Sequence, residues 1–312
     1  MNILNQISEK TGMPKRLCAS FIATAPKRYK RYEIPKRNGS GVRLIAQPAK
    51  SVKILQRICV ETLRESLLVH QAATAYEVGT GIKMNANRHR FNQYLLKMDF
   101  ADFFPSITPE VLFNTFEFHG LDLTEENQLT LQNLLFWKPT RDSSLELSIG
   151  APSSPFISNA VMYEFDSRVT ELCSSLGVRY TRYADDLVFS TNHPNVLFGL
   201  PEALANLLLE PQFSFLRFNV NKTVFSSKRN NRHITGVTLT NDGRLSIGRK
   251  RKRRLSSLIH RYQVGDLTAS EDIEELKGHL GFAKHIEPIF IARMIRKYGM
   301  ETIVSLQKFK SE

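Results

Sequence analysis

VRYTRYADDLVFS, residues Val178 to Ser190, sets two β-rich runs on either side of Ala184-Asp185-Asp186. Small and acidic residues suit a tight turn, so the stretch predicts a β-hairpin. Two adjacent carboxylates then stand at its tip, between Tyr183 and the run Leu187-Val188-Phe189. Like charges held together on a mostly apolar hairpin repel each other and lose solvation, so something must compensate them. A divalent cation is the obvious candidate. A lone Asp-Asp pair would more simply be a solvated turn, but this pair has company.

The second acidic centre is YLLKMDFADFFPSIT, Tyr94 to Thr108. Leu95, Leu96 and Met98 predict a buried strand, which Asp99 interrupts. A buried carboxylate without a partner is costly, so Asp99 should meet a cation or a basic side chain. If this strand lies beside the Asp185 hairpin, Asp99 and Asp185 can share metal ions. Oxygen ligands without Cys or His nearby point to magnesium, which also takes ligands from substrate phosphates. Such a pair of ions activates an attacking hydroxyl and stabilises a leaving pyrophosphate. Nucleotidyl transfer fits.

RYADD, with MDFADFF upstream and IGAPSSP between them, resembles the palm of a reverse transcriptase. Two narrower marks resemble the bacterial retron reverse transcriptases: NANRH, Asn85 to His89, matches an Asn-Ala-x-x-His element, and HITGV, His233 to Val237, resembles a Val-Thr-Gly element with Ile234 in place of Val. The resemblance runs from about Tyr29 to the C-terminal helices. It implies an α+β right-hand polymerase, with fingers, an antiparallel-sheet palm and a helical thumb. The expected divisions are an N-terminal helical extension at 1–31, fingers at 32–93, a palm at 94–245 with finger insertions around 109–148, and a thumb at 246–312.

The same resemblance implies an RNA-directed DNA polymerase of a retron. Such an enzyme makes a branched RNA–DNA molecule (msDNA) from its cognate structured noncoding RNA by 2′-hydroxyl priming, in anti-phage defence. The implied partners are that RNA and its RNA–DNA product, deoxynucleoside triphosphates, separate effector proteins and a host ribonuclease H. Asp99, Asp185, Asp186 and the backbone of Phe100 would hold two magnesium ions, which manganese can replace, with Asp186 closing the site from behind. The rival readings are another bacterial reverse transcriptase, of the diversity-generating, abortive-infection or intron type, and an RNA-binding scaffold without polymerase activity. The intact Asp99, Asp185 and Asp186 argue against the scaffold, and the short chain argues against an intron enzyme.

The chain has 312 residues and a formal charge of +13, which implies a polyanionic partner. Its three cysteines, Cys18, Cys59 and Cys173, show no CxxC spacing. That speaks against a disulfide framework or a zinc site and for a reducing compartment. No stretch reads as a membrane span or a signal peptide, so a cytoplasmic protein without membrane contact is the expectation.

Further sites follow in chain order. RYEIPKRNGSGVRLIAQP predicts a basic hairpin; its resemblance to reverse-transcriptase fingers makes Lys36 and Arg43 candidates to clamp the incoming triphosphate, where alone they would touch template phosphates or solvent. Asn85 and His89 lie four apart, so a helix would face both one way. Alone they read as a local polar cap; the resemblance makes them contacts to the enzyme's own RNA, or organisers of that surface. Asp102, Phe103 and Phe104 follow Asp99 in the nucleotide-binding stretch. The resemblance to reverse transcriptases implies that Phe104 is the wall under the incoming sugar, in keeping with the hard barrier that rejecting a 2′-hydroxyl needs, and Phe103 is expected in the core.

Gly150 would leave room for a nucleotide against the backbone. Ile149 stands where reverse transcriptases usually carry a Gln whose amide touches the incoming nucleotide, so apolar packing against the sugar is what this side chain can offer in its place. Lys222 could neutralise the pyrophosphate leaving group or be structural. HITGVTLTNDGRLSIGRK predicts a hairpin turning at Asn241–Gly243, at the primer-side edge of the palm. Its Thr235 and Gly236 join the candidate RNA contacts. The run Arg249, Lys250, Arg251, Lys252, Arg253 and Arg254 opens a helix expected to grip the duplex backbone.

Overall fold

The computed structural model describes residues 2–35 and 41–309. In chain order its elements are α1 (Ile3–Thr11), α2 (Lys15–Ala23), β1 (Tyr29–Pro35), β2 (Val42–Pro48), α3 (Lys50–Leu63) and α4 (Ile82–His89). β3 (Tyr94–Asp99), α5 (Phe103–Ser106), α6 (Pro109–Phe118), α7 (Glu125–Leu135), α8 (Ser154–Ala160), α9 (Tyr163–Ser175), β4 (Arg179–Tyr183) and β5 (Asp186–Thr191) follow. The last third holds α10 (Leu200–Leu207), β6 (Val224–Ser227), β7 (Arg232–Ile234), β8 (Val237–Leu239), β9 (Leu245–Ser246), α11 (Arg249–Gln263), α12 (Ser270–Ile286), α13 (Pro288–Tyr298) and α14 (Met300–Lys308). No described helix is long and apolar enough to cross a membrane.

A four-stranded antiparallel sheet in the order β4-β5-β3-β6 carries the two acidic centres. Strand alternation sends its side chains to opposite faces, and each face has its own core. Leu96, Met98, Leu187 and Phe189 enter a large core with α1 to α3, α6 to α9 and α10. Leu95 and Val188, one residue out of phase, enter a second core with Ala86, the strands β7 to β9 and the C-terminal helices. The sheet is thus buried on both faces over much of its length.

The first two helices, expected as an extension, are built into the large core through Ile3, Leu4, Ile7, Cys18 and Ile22. The HITGV region also differs from expectation. It forms a separate three-stranded sheet, β7-β8-β9, instead of an edge of the palm. Ile234 pairs with Val237, so Thr235 and Gly236 are the two central residues of the β7–β8 turn, with φ of 45° and 82°. Positive φ at both positions is what a type I′ hairpin turn requires, and glycine meets it without cost.

Candidate active site

The β4–β5 hairpin closes at Tyr183 and Asp186, leaving Ala184 and Asp185 as its turn. Ala184 has a φ of 55°, an unfavourable state for alanine that its surroundings must impose. Arg182, fully buried, holds the turn from behind. Its guanidinium donates to the Ala184 carbonyl at 3.0 Å, to Asn159 Oδ1 at 3.2 Å and to both oxygens of buried Asp166, the shortest at 2.6 Å. The Tyr180 hydroxyl donates to Asp166 Oδ1 at 2.7 Å. Removing one member of such a buried pair strands the other charge, at a cost of about 3–5 kcal/mol. This brace was missed from the sequence.

Asp99 ends β3 directly opposite Asp186 on β5, so two carboxylates face each other as cross-strand partners. The Phe100 amide donates to the Asp185 carbonyl at 3.2 Å, which joins the two acidic segments through the backbone. Burial, and then the charge of Asp99, raises the Asp185 pKa. Burial, and then the charges of Asp185 and Asp99, pushes Asp186 up to about 7. Lys222 supplies the counter-charge, with Nζ 2.7 Å from Asp99 Oδ1. Burial works against the lysine's charge, but the hydrogen bond and charge of Asp99 win and hold its pKa above the ordinary value.

Among the described residues, no three His, Cys, Asp or Glu side chains already close around one point. The donor chemistry nevertheless fits hard divalent cations: oxygen donors, mutually repelling, with one lysine to offset three acids. Asp99, Asp185 and Asp186 are the residues that would hold them. Arg43, exposed on β2, adds a field that lowers the Asp185 pKa. Lys36 lies outside the described residues. Tyr76, also unforeseen, is exposed with a φ of 68°, and after burial its pKa is raised most by Asp185.

Of the two phenylalanines, Phe103 is buried and stacks on Phe100 with ring centroids 5.7 Å apart. Its ring is core, so its place among nucleotide contacts is corrected. Phe104 meets Phe103 edge to face and stays half-buried, with surface left for a substrate. Asp102 is exposed in the left-handed conformation at the head of α5. Gly150 is also corrected. A Cβ there would stand 3.0 Å from the Ala46 carbonyl oxygen, so the missing side chain makes room for β2, not for a nucleotide.

The largest correction concerns Asn85 and His89, both completely buried and therefore not contacts to RNA. Asn92 Nδ2 donates to Ser190 Oγ at 2.7 Å, and Ser190 Oγ lies 2.6 Å from His89 Nδ1. His89 Nε2 lies 2.7 Å from Thr181 Oγ1, which donates to Asn85 Oδ1 at 2.5 Å. Those donors assign one order along the chain, with the His89 proton on Nε2 and Nδ1 accepting from Ser190. Burial, then the charges of Arg179 and Arg88, lowers the His89 pKa to about 3, so the ring is neutral. The network ties α4 to the hairpin that carries Asp185.

Thr235 and Gly236 shape a turn, and the Gly236 carbonyl accepts from Arg251 at 3.1 Å. The basic run divides. Lys252 is half-buried against Glu287 at 2.5 Å, Arg251 stacks over Phe282 at 4.7 Å, and Arg254 pairs with Glu275 at 2.8 Å. Arg249, Lys250 and Arg253 are exposed and have no ion pair among the described residues. These three are the members of the run left both exposed and unpaired.

The family model for reverse transcriptase (RNA-dependent DNA polymerase) matches residues 34–239. The chain is 46% identical over 283 residues to the retron Ec83 reverse transcriptase of Escherichia coli, covering 90% of each. It is 31% identical over 312 residues to the retron Ec73 reverse transcriptase of the same organism, covering 96% of each. Among solved structures it is similar to a telomerase from Candida albicans, at 14% identity and a TM-score of 0.49, over 96% of this chain and 66% of that one. With a palm sheet that sets Asp99 beside Asp185 and Asp186, this chain belongs to the retron reverse transcriptases, which are RNA-directed DNA polymerases.

Proposed function

We propose that the enzyme copies one folded noncoding RNA into DNA, starting from a 2′-hydroxyl inside that RNA, and so makes a branched RNA–DNA molecule. The observation that carries this reading is 46% identity to a retron enzyme along 90% of both chains. Magnesium is the proposed ion, held by Asp99 and Asp185 with the Phe100 backbone alongside and Asp186 behind. When bound, such ions activate the attacking hydroxyl and stabilise the departing pyrophosphate.

The protein's own groups do the rest. The half-buried ring of Phe104 blocks a ribose 2′-hydroxyl on the incoming nucleotide. Lys222, its Nζ already beside Asp99, offers an ammonium to the charge that develops on the leaving group. Arg182 and the His89 network hold the hairpin still while the substrates exchange. The reading extends to a cytoplasmic role in anti-phage defence, with a separate effector protein and a host ribonuclease H that trims the RNA.

Expression with the adjacent noncoding RNA tests it. The expected product is DNA joined to RNA through a 2′–5′ linkage, which a debranching enzyme releases. Linear DNA grown only from 3′-hydroxyl primers would remove the branched-product reading and leave the polymerase.

A further inference from the structure

α4 turns a second face away from the His89 network. Lys83, Asn87 and Arg90 follow the i, i+4, i+7 spacing, and together they form one wall of a cavity of about 660 Å³. The turn before β9 and the junction of α12 with α13 form the facing wall, with Arg244 and Arg293. Glu287 is the one carboxylate among the described lining residues, and its oxygens are already engaged by Lys252, by Ser246 Oγ at 2.8 Å and by the Ile247 amide at 3.1 Å. Arg244 is held by Asp242, 2.7 Å from its Nε. Lys83, Arg90 and Arg293 have no ion pair among the described residues, and the Arg90 Nε is buried without any hydrogen-bond partner.

Three cations without ion pairs on the walls of one cavity favour an anion between them. At the rim, Phe91 is 63% exposed, with the Arg90 guanidinium 4.4 Å over its ring. A Cβ on Gly243 would come within 2.7 Å of that ring, so the turn fits closely against it. An exposed aromatic ring next to arginine is the surface on which unpaired bases stack. The space suits a single nucleotide, not a duplex.

We propose that this cavity holds one unpaired nucleotide of the folded RNA, with its phosphates on Lys83, Arg90 and Arg293 and a neighbouring base on Phe91. The site shares no residue with the Asp99–Asp185 centre, so it selects the RNA without joining the chemistry. It rests on the folded-RNA reading above, and it accounts for a basic α4 whose Asn85 and His89 point inward.

The test is the triple variant Lys83→Ala/Arg90→Ala/Arg293→Ala, probed with the noncoding RNA encoded beside the gene. Its affinity for that RNA is expected to fall at least tenfold, and the log–log salt slope by roughly 2, at about 0.7 per lost single-strand contact. Extension of a DNA primer on a generic RNA template should stay within twofold of wild type. Phosphorothioate interference should map to one unpaired stretch.

Unchanged affinity, equal loss of generic extension, or interference confined to paired stems would each overturn the proposal. A wild type with no preference for this RNA over a scrambled one removes the folded-RNA reading itself; a wild type with that preference beside an unaffected variant removes the cavity alone. Should the triple variant not fold, Arg293→Ala, at an exposed position, is expected to weaken binding at least threefold, and no loss overturns the proposal.

Discussion

Lys222 Nζ donates to Asp99 Oδ1 across 2.7 Å, tying the segment before β6 to the carboxylate that ends β3. The lysine side chain is 51% exposed and the aspartate 8%. One partner can therefore swing out to a substrate while the other stays fixed in the sheet. The pair is a ready-made charge balance for a site whose three acids otherwise repel each other.

Replacing Lys222 with Met is expected to lower kcat about 100-fold, the smaller end of what one preorganised charge contact to a developing anion contributes. Deoxynucleotide KM should change much less, because the loss is felt as charge builds on the leaving group. Arginine at 222 should recover part of the rate. Single-turnover extension would read both effects, and a variant with wild-type kcat would leave Lys222 structural.

Asn at 99 or at 185 should abolish DNA synthesis without unfolding the chain. Removing one of three crowded carboxylates relieves repulsion, so the variants' melting temperature in EDTA should equal or exceed that of wild type. Added magnesium should raise the melting temperature of wild type more than that of either variant. Extension at the wild-type rate by Asp185→Asn would contradict the assignment.

If Phe104 floors the nucleotide site as proposed, Phe104→Ala opens that floor while the core residue Phe103 stays in place. Ribonucleotide use, relative to the matching deoxynucleotide, should rise at least tenfold as the barrier to the 2′-hydroxyl goes. If the ratio is unmoved, the half-buried ring is packing and nothing more.

α11 separates two effects that its run of charges would merge. Neutralising Arg249, Lys250 and Arg253 together should flatten the log–log salt slope of template–primer binding by roughly 2 to 3. Lys252→Ala should instead lower stability by about 3–5 kcal/mol at most, because it leaves half-buried Glu287 without its ammonium. Salt titration and urea denaturation of the two variants distinguish the cases; a shared phenotype would mean that the run acts as one surface.

His89 makes stability depend on pH. Its folded pKa of about 3 lies below the ordinary 6.5. Between those values the unfolded chain binds a proton that the native ring refuses, so acid favours unfolding. The contribution is fully present above pH 6.5 and falls toward pH 3, by at most about 1.4 kcal/mol per pH unit. Urea unfolding of His89→Gln against pH should show that slope reduced. Folded-RNA binding and generic extension should decline together in this variant, since the network supports the hairpin and not a ligand.

Much of the site could be read from the chain because its signal is local. Asp99 announces itself as a charge at the end of an apolar strand, and the Asp185 turn as two acids between β-rich runs. The brace behind that turn was hidden because Asp166 lies on a helix, and only the fold brings it to Arg182. Strand alternation held the clue: Arg182 pairs with Leu187, whose side faces the large core, so its charge needed a buried partner. Asn85 and His89 read as RNA contacts only through the retron resemblance, which carries no information on burial. Thr181 and Ser190, two hydroxyls on the covered face of the sheet, are what make their burial affordable. The basic run showed its charge but not its geometry, since Glu275, Phe282 and Glu287 arrive from α12 and its far end.

The two cores that share the palm sheet also order events during synthesis. The buried residues of the large core run from Ile3 to Leu216, a span that already contains Asp99, Asp185 and Asp186. The second waits for residues as late as Ile303 and Leu306. At about 5–20 residues per second, the ribosome needs roughly 5 to 20 s to deliver that last third. Through this interval the emerging chain already carries its three acids, while Lys222, β6 and the cover over Leu95 and Val188 are still to come. Translation speed after Leu216 thus sets how long an exposed apolar sheet face is offered to chaperones.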